Sequence, residues 1–212
     1  VLDIPRDRVS EFEAAVHAAD PQAAIRTTPA LRGSVLAFGP QGAMTRTADM
    51  EEIPEGAWAL RGERGLTYAD AVPAGNTVTA GQWWAAGYGG EPLVSVDEEF
   101  AEAANLKIGD YITFGVLGVE RTARVANLRR IDWESMGFNY VFVLSPNALQ
   151  DAPHNLAATI ELADGIPTGP LLQSLVRSFP SSSVIEVGGV LVQARTMLEQ
   201  VGLATLAAAS VA

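Results

Sequence analysis

The run "LKIGDYITFGVLGVERTARVANLRRI" constrains the fold more than any other part of this chain. Gly109-Asp110 supplies a turn, and the residues after it alternate apolar with polar, the period of two that half-buried antiparallel strands require. "VTAGQWW" and "PLVSVD" before it, separated by the glycine-rich "AAGYGGE", read as two more short strands, and "FNYVFVLSP" after it as another, stopped by Pro146. Between them Ser95 and Glu98 stand in the Ser-x-x-Glu arrangement of a capping box, opening a short helix through Phe100, Ala103 and Ala104.

The flanks have another grammar. Val1 to Ile4 is extended, Pro5 breaks it, and a helix carrying Val9, Phe12 and Val16 at helical spacing runs to Pro21. "AIRTTPALRGSVLAF" follows as a strand, its Pro29 and Gly33 suggesting an edge or a bulge, and a polar segment covers Gly39 to about Gly56. Near the other end "LAATIEL", a helix from Thr168 to Phe179 with Pro170 near its first turn and Leu171, Leu172, Leu175 and Val176 on one face, and "SSVIEV" repeat the strand-helix-strand order. Two such units around a β-rich middle predict an α+β fold: a split strand-helix-strand platform with an inserted β-rich subdomain.

With 212 residues, 48% of them hydrophobic, the chain is long enough to bury a substantial core. A net charge of −11 argues against nucleic acid and anionic membrane surfaces as partners. The absence of cysteine excludes disulfides, thiol nucleophiles and cysteine-ligated zinc. Lys107 is the sole lysine, and no phosphate-cradling Gly-x-x-x-x-Gly-Lys-Ser/Thr loop exists, so nucleotide hydrolysis is not expected. No serine lies in a Gly-x-Ser-x-Gly elbow, and His17 and His154 read as ordinary histidines. The carboxylates Asp132 with Glu134, and Asp97 with Glu98 and Glu99, read as solvated or helix-start acids. The residues therefore predict no catalytic, cofactor-binding or metal site, and a protein that is not an enzyme.

The aromatics carry more information. Trp83 and Trp84 are adjacent at a strand end, so alternation is expected to send them to opposite faces, one into the core and the other to the surface or a subdomain junction. The segment "RRIDWESMGFNY" gathers Arg129, Arg130, Trp133, Met136, Phe138 and Tyr140, a mixture that suits a recognition surface and equally suits packing. Trp84, Arg130, Trp133, Met136, Phe138 and Tyr140 are the candidate partner contacts.

From Gly189 the sequence reads as one helix without proline, and after Glu199 it has no charge. Its final run is shorter than the roughly 20 apolar residues that span a bilayer. At the start, "VLDIPRDRV" has no leader-like pattern. Both ends are expected to be cut from a longer polypeptide.

The runs "LTYADAVPAGNTVTAGQWW", "VSVDEEFAEAANLKIGDYITF", "ARVANLRRIDWESMGFNYVFVLSPNAL" and "SFPSSSVIEVGGVLVQARTMLEQVGLA" resemble, in the same order, the extracytoplasmic (periplasmic) domain of FtsX-like, MacB-type ABC transporter permeases of the YbbP-type branch. The Trp83-Trp84 pair departs from the MacB pattern, so the efflux partners of MacB are not carried over. The resemblance implies a discontinuous porter-like subdomain (residues 1–77 and 149–200), a sabre-like β-rich subdomain (78–148), and the start of a transmembrane helix (201–212). It implies a place on the extracytoplasmic face of the bacterial cell membrane and a cytoplasmic ABC ATPase partner whose action is coupled to conformational change outside. It further implies a lipid, lipoprotein or periplasmic protein as contact. A scaffold that recruits a periplasmic hydrolase without transport is the alternative.

Overall fold

The computed structural model describes residues 1–135 and 137–187. In chain order these form α1 (Val9–Ala19), β1 (Ala24–Gly39), β2 (Thr45–Arg46), β3 (Arg64–Tyr68), β4 (Asn76–Gly81), β5 (Leu93–Asp97), α2 (Glu98–Ala103), β6 (Tyr111–Val116), β7 (Val119–Ile131), β8 (Phe142–Leu144), α3 (Pro146–Leu149), β9 (Asn155–Glu161) and α4 (Thr168–Ser178).

The pairings close a ring. β1 pairs with β3, β3 with β8, β8 with β5, β5 with β7, β7 with β6, and β6 returns to β1. The β3–β8 and β5–β7 pairs are parallel and the rest antiparallel. A ring of six strands has no free edge within it, which removes the exposed backbone groups that an open sheet presents. Its core includes Leu66, Val94, Val96, Ile112, Phe114, Val125, Phe142 and Leu144. Phe142 is the hub: Phe100 of α2 and Phe114 of β6 meet its ring edge-on at 5.0 and 5.2 Å, the T-shaped geometry that aromatic quadrupoles favour.

A mostly β structure built on a closed six-stranded barrel thus replaces the expected α+β platform with its inserted β-rich subdomain. The cause is β1. Its residues 24–30 pair with β9, and residues 31–39 enter the barrel against β3 and β6, so one strand serves two sheets. β4 extends β7 outside the ring, and β2 extends the end of β1. "SSVIEV" forms no strand; Ser183 makes an isolated bridge to Leu2.

A second apolar cluster lies where α1 and α4 pack near β9. Phe12 and Val16, four residues apart, give α1 its buried stripe, and Leu171 and Leu175 do the same for α4. Val176, expected on that face, is exposed. Phe12 and Phe179 meet edge-on at 5.9 Å. The buried Asp20 closes α1 against the chain beyond β9, accepting from the backbone N–H groups of Gln22 (2.9 Å) and Ala163 (2.8 Å). The expected helix from Gly189 and the membrane-entering run 201–212 lie outside the described residues. Among the described residues no helix is long and apolar enough to cross a membrane.

Candidate functional site

The informative surface lies where β5 runs into α2 beside the end of β7. The helix starts at Glu98, and its cap is Asp97, whose Oδ2 accepts from the Phe100 N–H at 3.2 Å. Ser95, expected as the capping residue, belongs to β5. Three consecutive acids therefore have three environments. Asp97 is buried, and burial pushes its carboxyl up from the ordinary carboxylate range. Glu98 accepts from Arg130 Nε at 2.6 Å, a bond that holds its carboxyl below that range. Glu99 is exposed and makes no ion pair among the described residues.

Because β7 runs on to Ile131, Arg129 and Arg130 are successive strand residues and point to opposite faces. Arg130 faces solvent and reaches Glu98. Arg129 is wholly buried, following Ala123, Val125 and Asn127 on the inward face. Its guanidinium donates to Asn76 Oδ1 (2.7 Å), to the Val141 carbonyl (3.0 Å) and to the Tyr140 carbonyl. This ties β4 and β7 to the segment leading into β8. Burial pushes the Arg129 guanidinium down to about 10, with the Asp97 charge acting in the other direction.

Beside these groups, Gly56, Trp58, Asp97, Glu99, Phe100 and Trp133 line an open cleft of about 370 Å³. Trp58 and Trp133 are 49% and 50% exposed, unusual for so large an apolar side chain. The Arg64 guanidinium sits 5.1 Å from the Trp58 ring centroid, and its Nη2 donates to the Trp58 carbonyl at 3.2 Å. Gly56 has φ +86°, and a Cβ there would stand 3.0 Å from that of Ala103, so this turn approaches α2 as only glycine allows.

The six candidate contacts are dispersed. Trp133 lines the cleft, and Arg130 flanks it through Glu98. Met136 lies outside the described residues. Phe138 and Tyr140 are half-buried; the Tyr140 ring lies against Gly65, and burial pushes its phenol up. Trp84 is buried, and the expectation that it and Trp83 face opposite ways is not met. The two rings stack at 4.1 Å, and their indole N–H groups donate to the consecutive carbonyls of Ala69 and Asp70. β4 ends at Gly81 with φ +74°, so the tryptophans lie beyond the pleat that would have separated them. Sequence reasoning missed Trp58, which no local pattern marks; only its place beside Trp133 in the cleft brings it into the site.

The two histidines are apart. His17 is exposed on α1. His154 Nδ1 lies 2.7 Å from the Ala152 carbonyl and Nε2 lies 3.1 Å from the Tyr68 hydroxyl. A carbonyl only accepts, so Nδ1 carries the proton and, in the neutral ring, Tyr68 donates to Nε2. Among the described residues no group of three or more His, Asp or Glu is placed to hold a metal ion.

With this geometry in view, the relationship in sequence is to a domain of an ABC transporter permease, a transporter component. Over 138 residues, 64% of this chain, it is 33% identical to the uncharacterized ABC transporter permease YbbP of Escherichia coli strain K12. The match amounts to 16% of YbbP, so the chain corresponds to a small part of that protein. No family model matches the chain.

Proposed function

We propose that this chain is the extracytoplasmic domain of an ABC permease, which relays the action of a cytoplasmic ATPase to a lipid, lipoprotein or protein partner outside the membrane. The observation that carries this reading is the 33% identity to an ABC transporter permease over 138 residues. The closed barrel supports it, since a ring of strands around a close-packed core has low compressibility and so transmits strain. The half-exposed Trp58 and Trp133 supply the contact surface, because exposed tryptophan beside arginine is enriched where proteins bind one another.

The test uses the full-length protein in its own cell. A protease-cleavable tag inserted at Gly42, in an open turn after β1, is expected to be cut by protease added outside the cytoplasmic membrane. A co-purifying ATPase subunit and loss of cellular function on Trp133→Ala complete the expected result. Cleavage only after the membrane is permeabilised would reverse the orientation and sink the reading.

A further inference from the structure

Resting on that partner-contact reading, we infer that the cleft between Trp58 and Trp133 receives a lysine or arginine side chain of a partner protein, with Glu99 as its counter-charge. Two half-exposed indoles bound the cleft, and an indole face attracts a cation through its quadrupole. The fold already uses this chemistry at the cleft's edge. Arg64 lies over Trp58, and Arg130 is held by Glu98 one residue from Glu99. The half-exposed indoles give the cleft apolar walls suited to the methylene stem of a long basic side chain, over a floor closed by the buried Phe100.

Charge selects the occupant. Among the described residues the cleft lining carries two carboxylates, Asp97 and Glu99, and no cationic side chain, with Arg64 over Trp58 at its edge. Asp97 is opposed by Arg129, which leaves the Glu99 carboxylate without an ion-pair partner among the described residues. This surplus, on a chain of net charge −11, repels an anionic lipid surface and a second copy of the chain. A zwitterionic lipid headgroup offers an ammonium but brings its phosphate against the same carboxylates. A basic side chain on a protein loop meets the indoles and Glu99 without that opposition.

The experiment follows the indole N–H signals of the ¹⁵N-labelled chain, assigned with Trp58→Phe and Trp133→Phe, while penta-lysine amide, penta-glutamate or phosphatidylcholine vesicles are added. Penta-lysine is expected to shift the Trp58 and Trp133 signals and penta-glutamate and the vesicles to leave them in place. Glu99→Gln should weaken penta-lysine binding about fivefold, whereas Glu13→Gln, an equal loss of charge on the far helix α1, should change it less than about twofold. Equal losses in the two variants would mean diffuse attraction and overturn the inference, as would a response to vesicles or penta-glutamate in place of penta-lysine. If penta-lysine has no effect while Trp133→Ala still abolishes cellular function in the full permease, the basic side chain is wrong and the partner contact stands.

Discussion

Asp97 on β5 is the register partner of Arg129 on β7, and both are buried, yet no hydrogen bond joins them. Each spends its hydrogen bonds elsewhere: the carboxylate caps α2, and the guanidinium holds Asn76 and the carbonyls before β8. They are coupled through charge, across the β5–β7 pair that positions the cleft. Arg129→Met should lower stability by about 3–5 kcal/mol, because it strands a buried carboxylate and three acceptors. Combining it with Asp97→Asn, which keeps a capping oxygen, should lose at least about 1 kcal/mol less than the two single changes together. Urea unfolding of the four proteins of this cycle measures both; strict additivity would mean that the charges do not interact.

Trp84→Ala and Trp133→Ala should separate cleanly in thermal melts. Trp84 is buried, stacked and hydrogen-bonded, so its truncation should cost about 3–5 kcal/mol. Trp133 is half-exposed, and its loss should leave Tm nearly unchanged while impairing the function proposed for the full-length protein. A large drop in Tm for Trp133→Ala would make it a packing residue.

Asp20 should give the fold an acid-sensitive clasp. Hydrogen bonds from the N–H groups of Ala163 and Gln22 hold its carboxyl below the usual range. A depressed pKa in the folded state contributes stability that is present above the unfolded value of about 3.9 and is lost as pH falls through the folded value. Asp20→Ala should therefore lower the urea midpoint at pH 7 and flatten its decline on acidification. An unaltered acid limb would show that the clasp contributes nothing.

Leu117 occupies the tip of the β6–β7 hairpin at φ +51°, followed by Gly118 at φ +78°. Its side chain is 70% exposed, so no packing offsets the left-handed conformation. Leu117→Asn or Leu117→Gly should raise stability by about 0.5–1 kcal/mol, since both residues tolerate positive φ and suit this type of turn. A decrease would mean that the leucine has a contact in solution that compensates for its strain.

What was legible in the sequence was local. The period-two pattern after Gly109 gave β6 and β7, spacing gave the buried stripes of α1 and α4, and Pro146 ended β8, because each depends on residues within a few positions of one another. Trp133 could be singled out by residue type, but its partner in the cleft, Trp58, could not, since 75 positions of sequence separate residues that share one surface. The alternation itself, carried past Leu128, turns Arg129 inward and Arg130 outward; grouping the two in one recognition segment concealed that one is structural and the other superficial. Barrel closure depended on tertiary structure alone. Whether β1 ends in a platform or continues into a ring depends on which distant strands satisfy its backbone N–H and C=O groups, and residues 24–30 and 31–39 find theirs in different sheets. The chain's local patterns specify strands and helices; which distant strands pair their backbone groups and bury their apolar faces together is decided only by the whole assembly, and it made a barrel of what sequence alone divided into a platform and an insert.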